Sequence, residues 1–152
     1  MKRALALTVL AVTAGVATAA HALDIRQRCA STARPDAIRA CTVVITDALA
    51  PSEDRIIALR NRGFSHQQQG DLDTAIADYD AAIKLSRTVA VNPRGQDARL
   101  LAKTLVDRGV AWREKGDPDK ALADFDAAAD ADPTLVSAQQ NRDALYFQSR
   151  KR

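Results

Sequence analysis

The sequence predicts an all-α protein, and three observations carry that prediction. Alanine dominates an apolar fraction of 47% and outnumbers Val, Ile and Thr together, which favours helix over strand. A segment opening at Gly63 recurs without a gap from Gly109. Gly70, Gly116, Pro118 and Pro133 stand at the points where helices of such a repeat would end or begin. The length of 152 residues fits one ordinary domain, and 27% charged residues exclude a disordered or collagen-like chain.

In chain order, residues 1–22 come first. Lys2 and Arg3 precede an uncharged run from Ala4 to Ala20, and Ala20-His21-Ala22 has the small-x-small form of a signal peptidase site. This layout predicts a secretory signal peptide with cleavage after Ala22, and so a periplasmic or secreted protein without membrane attachment once cleaved. The competing assignment is a retained anchor, because an uncharged run of 17 residues sits at the lower limit for spanning a bilayer. Cleavage would remove two bases and no acid, lowering the formal charge from +3 to +1. Nucleic-acid binding needs a clustered excess of base, so it is not expected.

Cys29 and Cys41 follow. In an oxidising compartment such a pair reads as a disulfide rather than a metal or redox site, and eleven intervening residues lack the close spacing of a redox motif. On one continuous helix the two would stand roughly 18 Å apart, beyond any disulfide. Arg34-Pro35 lies between them and breaks a helix. The segment is therefore expected as two antiparallel helices, about 24–32 and 35–49, stapled by Cys29–Cys41.

The repeat comes next. Gly63-Phe64-Ser65-His66-Gln67-Gln68-Gln69-Gly70-Asp71 aligns with Gly109-Val110-Ala111-Trp112-Arg113-Glu114-Lys115-Gly116-Asp117. The alignment continues through Ala75, Tyr79 and Ala82 against Ala121, Phe125 and Ala128, and Asp132-Pro133 ends the second copy. This pattern resembles the tetratricopeptide repeat, a 34-residue helix–turn–helix with A-x₃-F and a closing proline. The resemblance implies a short tetratricopeptide-type helical solenoid of stacked antiparallel hairpins, with copies at 56–89 and 102–135. The small residues would lie where paired helices cross, Tyr79 and Phe125 would pack the core, and Asp71 and Asp117 would N-cap the second helices. Gly70 and Gly116 suit left-handed helix ends, and Pro118 a first helical turn.

The copies start 46 residues apart rather than 34, leaving an insertion at about 90–101. It either lengthens two helices, about 71–91 and 96–115, into a hairpin protruding at Pro93-Arg94-Gly95, or forms a tolerated loop. Residues 23–50 resemble a degenerate copy, with Ala37 for Ala75 and Cys41 for Tyr79. Residues 136–152 supply a C-terminal capping helix in which Asn141-Arg142 echoes Asn61-Arg62 and Asp143 replaces the glycine.

No chemistry emerges from the side chains. His66 is the only histidine after residue 22, so neither a metal cluster nor a nucleophile–base pair is expected, and no cofactor. His66 aligns with Trp112 and reads as a packed interhelical residue. Asp71-Leu72-Asp73 and Asp117-Pro118-Asp119 read as helix N-termini rather than calcium loops. Asp78, Asp80, Asp124 and Asp126 are expected on a solvated outer face.

Tetratricopeptide proteins generally bind proteins or peptides in a concave groove lined by the first helix of each hairpin. That resemblance implies a groove of Ile57, Arg60, Phe64, Gln67 and Gln68, then Lys103, Val106, Val110, Arg113 and Glu114. The Lys/Asn clamp that some members use on chaperone tails is not reproduced, since Phe64 and Asp107 stand at clamp positions. The functional expectation is a non-enzymatic exported scaffold, monomeric or weakly oligomeric, for an unknown protein or peptide. The alternative is a structural or self-associating subunit of a cell-envelope complex.

Overall fold

The computed structural model describes residues 21–33, 35–89 and 96–149. The uncharged N-terminal run and the turn at Pro93-Arg94-Gly95 lie outside the described residues. Among the latter there are seven helices and no strand: α1 (21–30), α2 (Ala37–Thr46), α3 (Ser52–Gln68), α4 (Leu72–Val89), α5 (Gln96–Lys115), α6 (Pro118–Ala131) and α7 (Val136–Ser149). The protein is all-α, a tetratricopeptide-type helical repeat. No helix among the described residues is long and apolar enough to cross a membrane.

From α2 to α7 each helix packs on the next, as antiparallel hairpins in a row must. Contacts between helices not adjacent in sequence are one-sided. Helix α3 touches α5 and α5 touches α7, whereas α2, α4 and α6 do not touch one another. A stack joined along one row and splayed along the other curves, with α3, α5 and α7 on the inside.

The close crossings follow from the small residues. A Cβ placed on Gly63 would lie 2.9 Å from Cε1 of Tyr79, and one on Gly109 only 2.6 Å from Cε1 of Phe125. Tyr79 and Phe125 are wholly buried, as are Ala75, Ala82, Ala121 and Ala128. Each fully buried aromatic contributes about 2–3 kcal/mol of hydrophobic stabilisation, and that burial requires a bare backbone opposite. The Tyr79 hydroxyl donates to Oε1 of Gln67 at 2.9 Å, so its polar end is satisfied inside the core.

Helix ends obey their local chemistry. Asp71 Oδ1 accepts from the Thr74 amide at 3.2 Å and Asp117 Oδ1 from the Lys120 amide at 3.1 Å, capping α4 and α6. Gly70 and Gly116 hold φ of +79° and +90°, the left-handed region that a side chain resists. At the N-terminus the helix breaks around Pro35, and Cys29 and Cys41 are bonded with Cα atoms 4.6 Å apart. Both cysteines are buried with Val44 and Ala58, under partly buried Ile25. Helix α2 is shorter than expected, ending at Thr46 instead of about residue 49: Asp47 takes an extended backbone, and its side chain reaches forward to accept from the Leu49 amide.

The sequence expectation fails at Asp78 and Asp124. Neither lies on a solvated face: each is 5% exposed. Arg62 grips Asp78 with Nε at 2.9 Å and Nη2 at 2.6 Å, and Arg108 grips Asp124 in the same way at 2.8 and 2.5 Å. The two clamps are register equivalents. In each, the remaining nitrogen reaches back to the preceding hairpin: Arg62 Nη1 to the Thr42 hydroxyl at 3.1 Å, Arg108 Nη1 to the Asp80 carboxylate. Thr42 thus stands on α2 where Asp80 stands on α4, one residue after Cys41 and Tyr79 respectively. The ion pair with Asp124 holds the Arg108 guanidinium even further above its usual range.

Candidate functional site

The residues that the sequence assigns to a groove lie on α3 and α5, and they differ in availability. Val106 and Gln67 are each 8% exposed and belong to the wall of the stack, not to its open surface. Ile57, Lys103 and Val110 are half-buried, and Gln68, Arg113 and Glu114 are exposed. Phe64 is 38% exposed, an aromatic ring left partly in water on the inner row of helices.

Its charges are mostly spoken for. Arg60 donates through Nε to the Asp107 carboxylate across the α3–α5 seam. Burial pushes Asp107 above the usual carboxylate range, and the neighbouring Arg60 opposes that rise. Gln67 donates to Glu114 at 2.8 Å across the same seam. Burial first, and then the Asp107 charge, raise the Tyr79 phenol far above its ordinary value. Arg113 differs, because its Nη1 donates to a neutral acceptor, Oδ1 of Asn141 on α7, at 3.1 Å. Its charge is not cancelled by that contact. Near the inter-helix turns, Trp112 lies beneath two ammonium groups, Lys120 Nζ at 4.2 Å from the ring centroid and Lys115 Nζ at 5.5 Å.

His66 is partly buried on α3, with Nδ1 3.8 Å from Asp71. Among the described residues no group of three or more His, Cys, Asp or Glu side chains could hold a metal ion. The buried Arg–Asp clamps escaped sequence reasoning, although their signal was there: Arg62 and Arg108 each precede the crossing glycine, and Asp78 and Asp124 each precede the core aromatic.

With this geometry in hand, the comparison with protein families is specific. Residues 56–88 match the tetratricopeptide repeat. The match spans α3 from its second turn to the end of α4, one hairpin with its Gly63–Tyr79 crossing inside it. A comparison with curated proteins finds no match. The tetratricopeptide repeat is an interaction architecture, so the coarse functional class is a scaffold for protein association.

Proposed function

We propose that this protein is an exported, non-catalytic scaffold that binds an extended peptide or protein segment along its inner face. The observation that carries the proposal is that Phe64 on α3 and Arg113 on α5 are both exposed on the curved inner row. Phe64 offers an apolar anchor, and Arg113 offers a guanidinium whose contact is neutral Asn141. Arg60 contributes less, since Asp107 already holds it. The fitting partner is a segment with an apolar side chain and an acidic group, because arginine takes a carboxylate through two hydrogen bonds. So few repeats bury little peptide, so affinity is expected near the micromolar range, about −8 kcal/mol.

The Cys29–Cys41 bridge and the charge-free N-terminal run support export. Intact-mass measurement of protein recovered outside the cytoplasm should show a chain beginning at Leu23. A full-length chain retained in the membrane fraction would refute cleavage. The groove itself is tested by Phe64→Ser combined with Arg113→Glu, in protein shown to be folded. Partner recovered from an envelope extract should be lost. If the partner is retained as well as by the parent protein, the inner face is not the site.

A further inference from the structure

The N-terminal end of α3, the C-terminal end of α4 and the N-terminal end of α5 enclose a cleft of about 180 Å³. Ile56, Val89 and Leu100 give it apolar walls, Ser52 and Ser86 give hydroxyls, and Glu53 and Asp97 give carboxylates. None of these seven residues belongs to the groove set. The Ser86 hydroxyl is already used on the Ala82 carbonyl, so the cleft's free polar character is mainly anionic.

We propose that this cleft is a second docking site, one that takes the side chain of a lysine or arginine from a partner protein. A long aliphatic stem would lie against Ile56, Val89 and Leu100 while its cationic head stays near the wet rim, as such side chains do when half-buried. Two features supply the charge complementarity. Glu53 and Asp97 both line the cleft, and no ion pair joins either to a basic group among the described residues. They stand in the first turns of α3 and α5, where a helix N-terminus favours a negative side chain.

The register-equivalent junction one hairpin later makes the same point by contrast. There Arg99 stands for Glu53 and Asp132 for Ser86. Arg99 and Lys103 both act electrostatically on Asp132, so the chain itself supplies the cation at that junction. At the first junction the acids are present, and among the described residues no basic side chain pairs with them.

The test is a titration of the full chain, followed by backbone amide resonances, with acetyl-Ala-Lys-Ala-amide. The comparison peptide carries norleucine, which keeps the stem and removes the charge. The lysine peptide should shift Ile56, Ser86, Asp97 and Leu100 and saturate at about tenfold lower concentration than the norleucine peptide, the yield of two partly exposed ion pairs. Glu53→Gln with Asp97→Asn should remove most of that difference, and each single change about threefold of it. Added salt should narrow it as well. Equal binding of the two peptides, an undiminished preference in the variants, shifts centred on Phe64 and Arg113, or no shift at all would each overturn the proposal. Phe64→Ser with Arg113→Glu should bind the lysine peptide as the parent does, so the groove and the cleft stand or fall separately.

Discussion

Replacing Arg108 by methionine isolates the strongest polar element of the stack. The change keeps the length of the aliphatic stem and removes the guanidinium, leaving Asp124 with a side chain only 7% exposed and both oxygens without their donors. Removing one partner of a buried pair costs about 3–5 kcal/mol. The Arg108 side chain is 21% exposed, so water can reach part of the vacated site and the lower end, about 3 kcal/mol, is expected. For a chain of this size that lowers the midpoint of thermal unfolding by about 10 °C. Arg62→Met should cost less by up to about 1 kcal/mol, because its third nitrogen meets the neutral Thr42 hydroxyl whereas Arg108 also meets the Asp80 carboxylate. Adding Asp124→Leu to Arg108→Met should recover most of the loss, with a coupling of about 2 kcal/mol or more in the double-mutant cycle. The assay is urea unfolding followed by circular dichroism at neutral pH. A cost under about 1 kcal/mol for Arg108→Met, or strict additivity in the cycle, would mean that the clamp is a solvated contact and the reasoning is wrong.

Gly109→Ala should destabilise despite alanine's helix propensity, since the new methyl meets Phe125 at 2.6 Å; the expected net loss is about 1–2 kcal/mol, and pairing it with Phe125→Leu should relieve the clash. A gain near 1 kcal/mol, which propensity alone gives, would refute the crossing. Cys41→Ser should lower stability by about 2–4 kcal/mol in urea unfolding, and native protein should resist alkylation at both cysteines until reduced. Acid should weaken the fold through the caps. Hydrogen bonds from Thr74, Lys120 and Thr134 hold Asp71, Asp117 and Asp132 below the usual carboxylate range. Their contribution is present above the unfolded value, near pH 4, and disappears as pH falls through the lowered folded values. Asp107 has the opposite sign, because its raised value means that the folded state holds the proton more tightly. The urea midpoint should therefore drop below about pH 4, and Asp117→Asn, which can still cap, should make the drop shallower. An acid limb unchanged in that variant would count against the cap's role.

Much of the fold was legible because its decisive residues act locally or in identical pairs. Gly63 and Gly109 are demanded by one aromatic each, Gly70 and Gly116 by backbone φ, and Pro35 by its ring, so sequence position alone carries their meaning. Asp78 and Asp124 were misread because an acid on the outer side of a helix looks the same whether it meets water or an arginine from the neighbouring helix. What decides the matter is the approach of α3 to α4 and of α5 to α6, which is tertiary information. The groove is a similar case. The tetratricopeptide resemblance places Arg60 and Arg113 on the inner row, but it does not reveal that Arg60 meets a carboxylate on α5 while Arg113 meets an amide on α7. The cleft beside Glu53 was invisible for the same reason, since its walls come from three helices.

Asp143 on α7 sets a limit on growth. In register it occupies the place of Gly63 and Gly109, where even a single methyl carbon would collide with the ring of the companion helix. A further aromatic-bearing helix laid against α7 would meet a carboxylate, one that pairs with Arg142 and is 57% exposed. One side chain therefore denies α7 the bare backbone that α3 and α5 offer to the ring of their companion helix. A crossing as close as those at Gly63 and Gly109 would need a small residue there, and Asp143→Gly is the smallest change that would supply one.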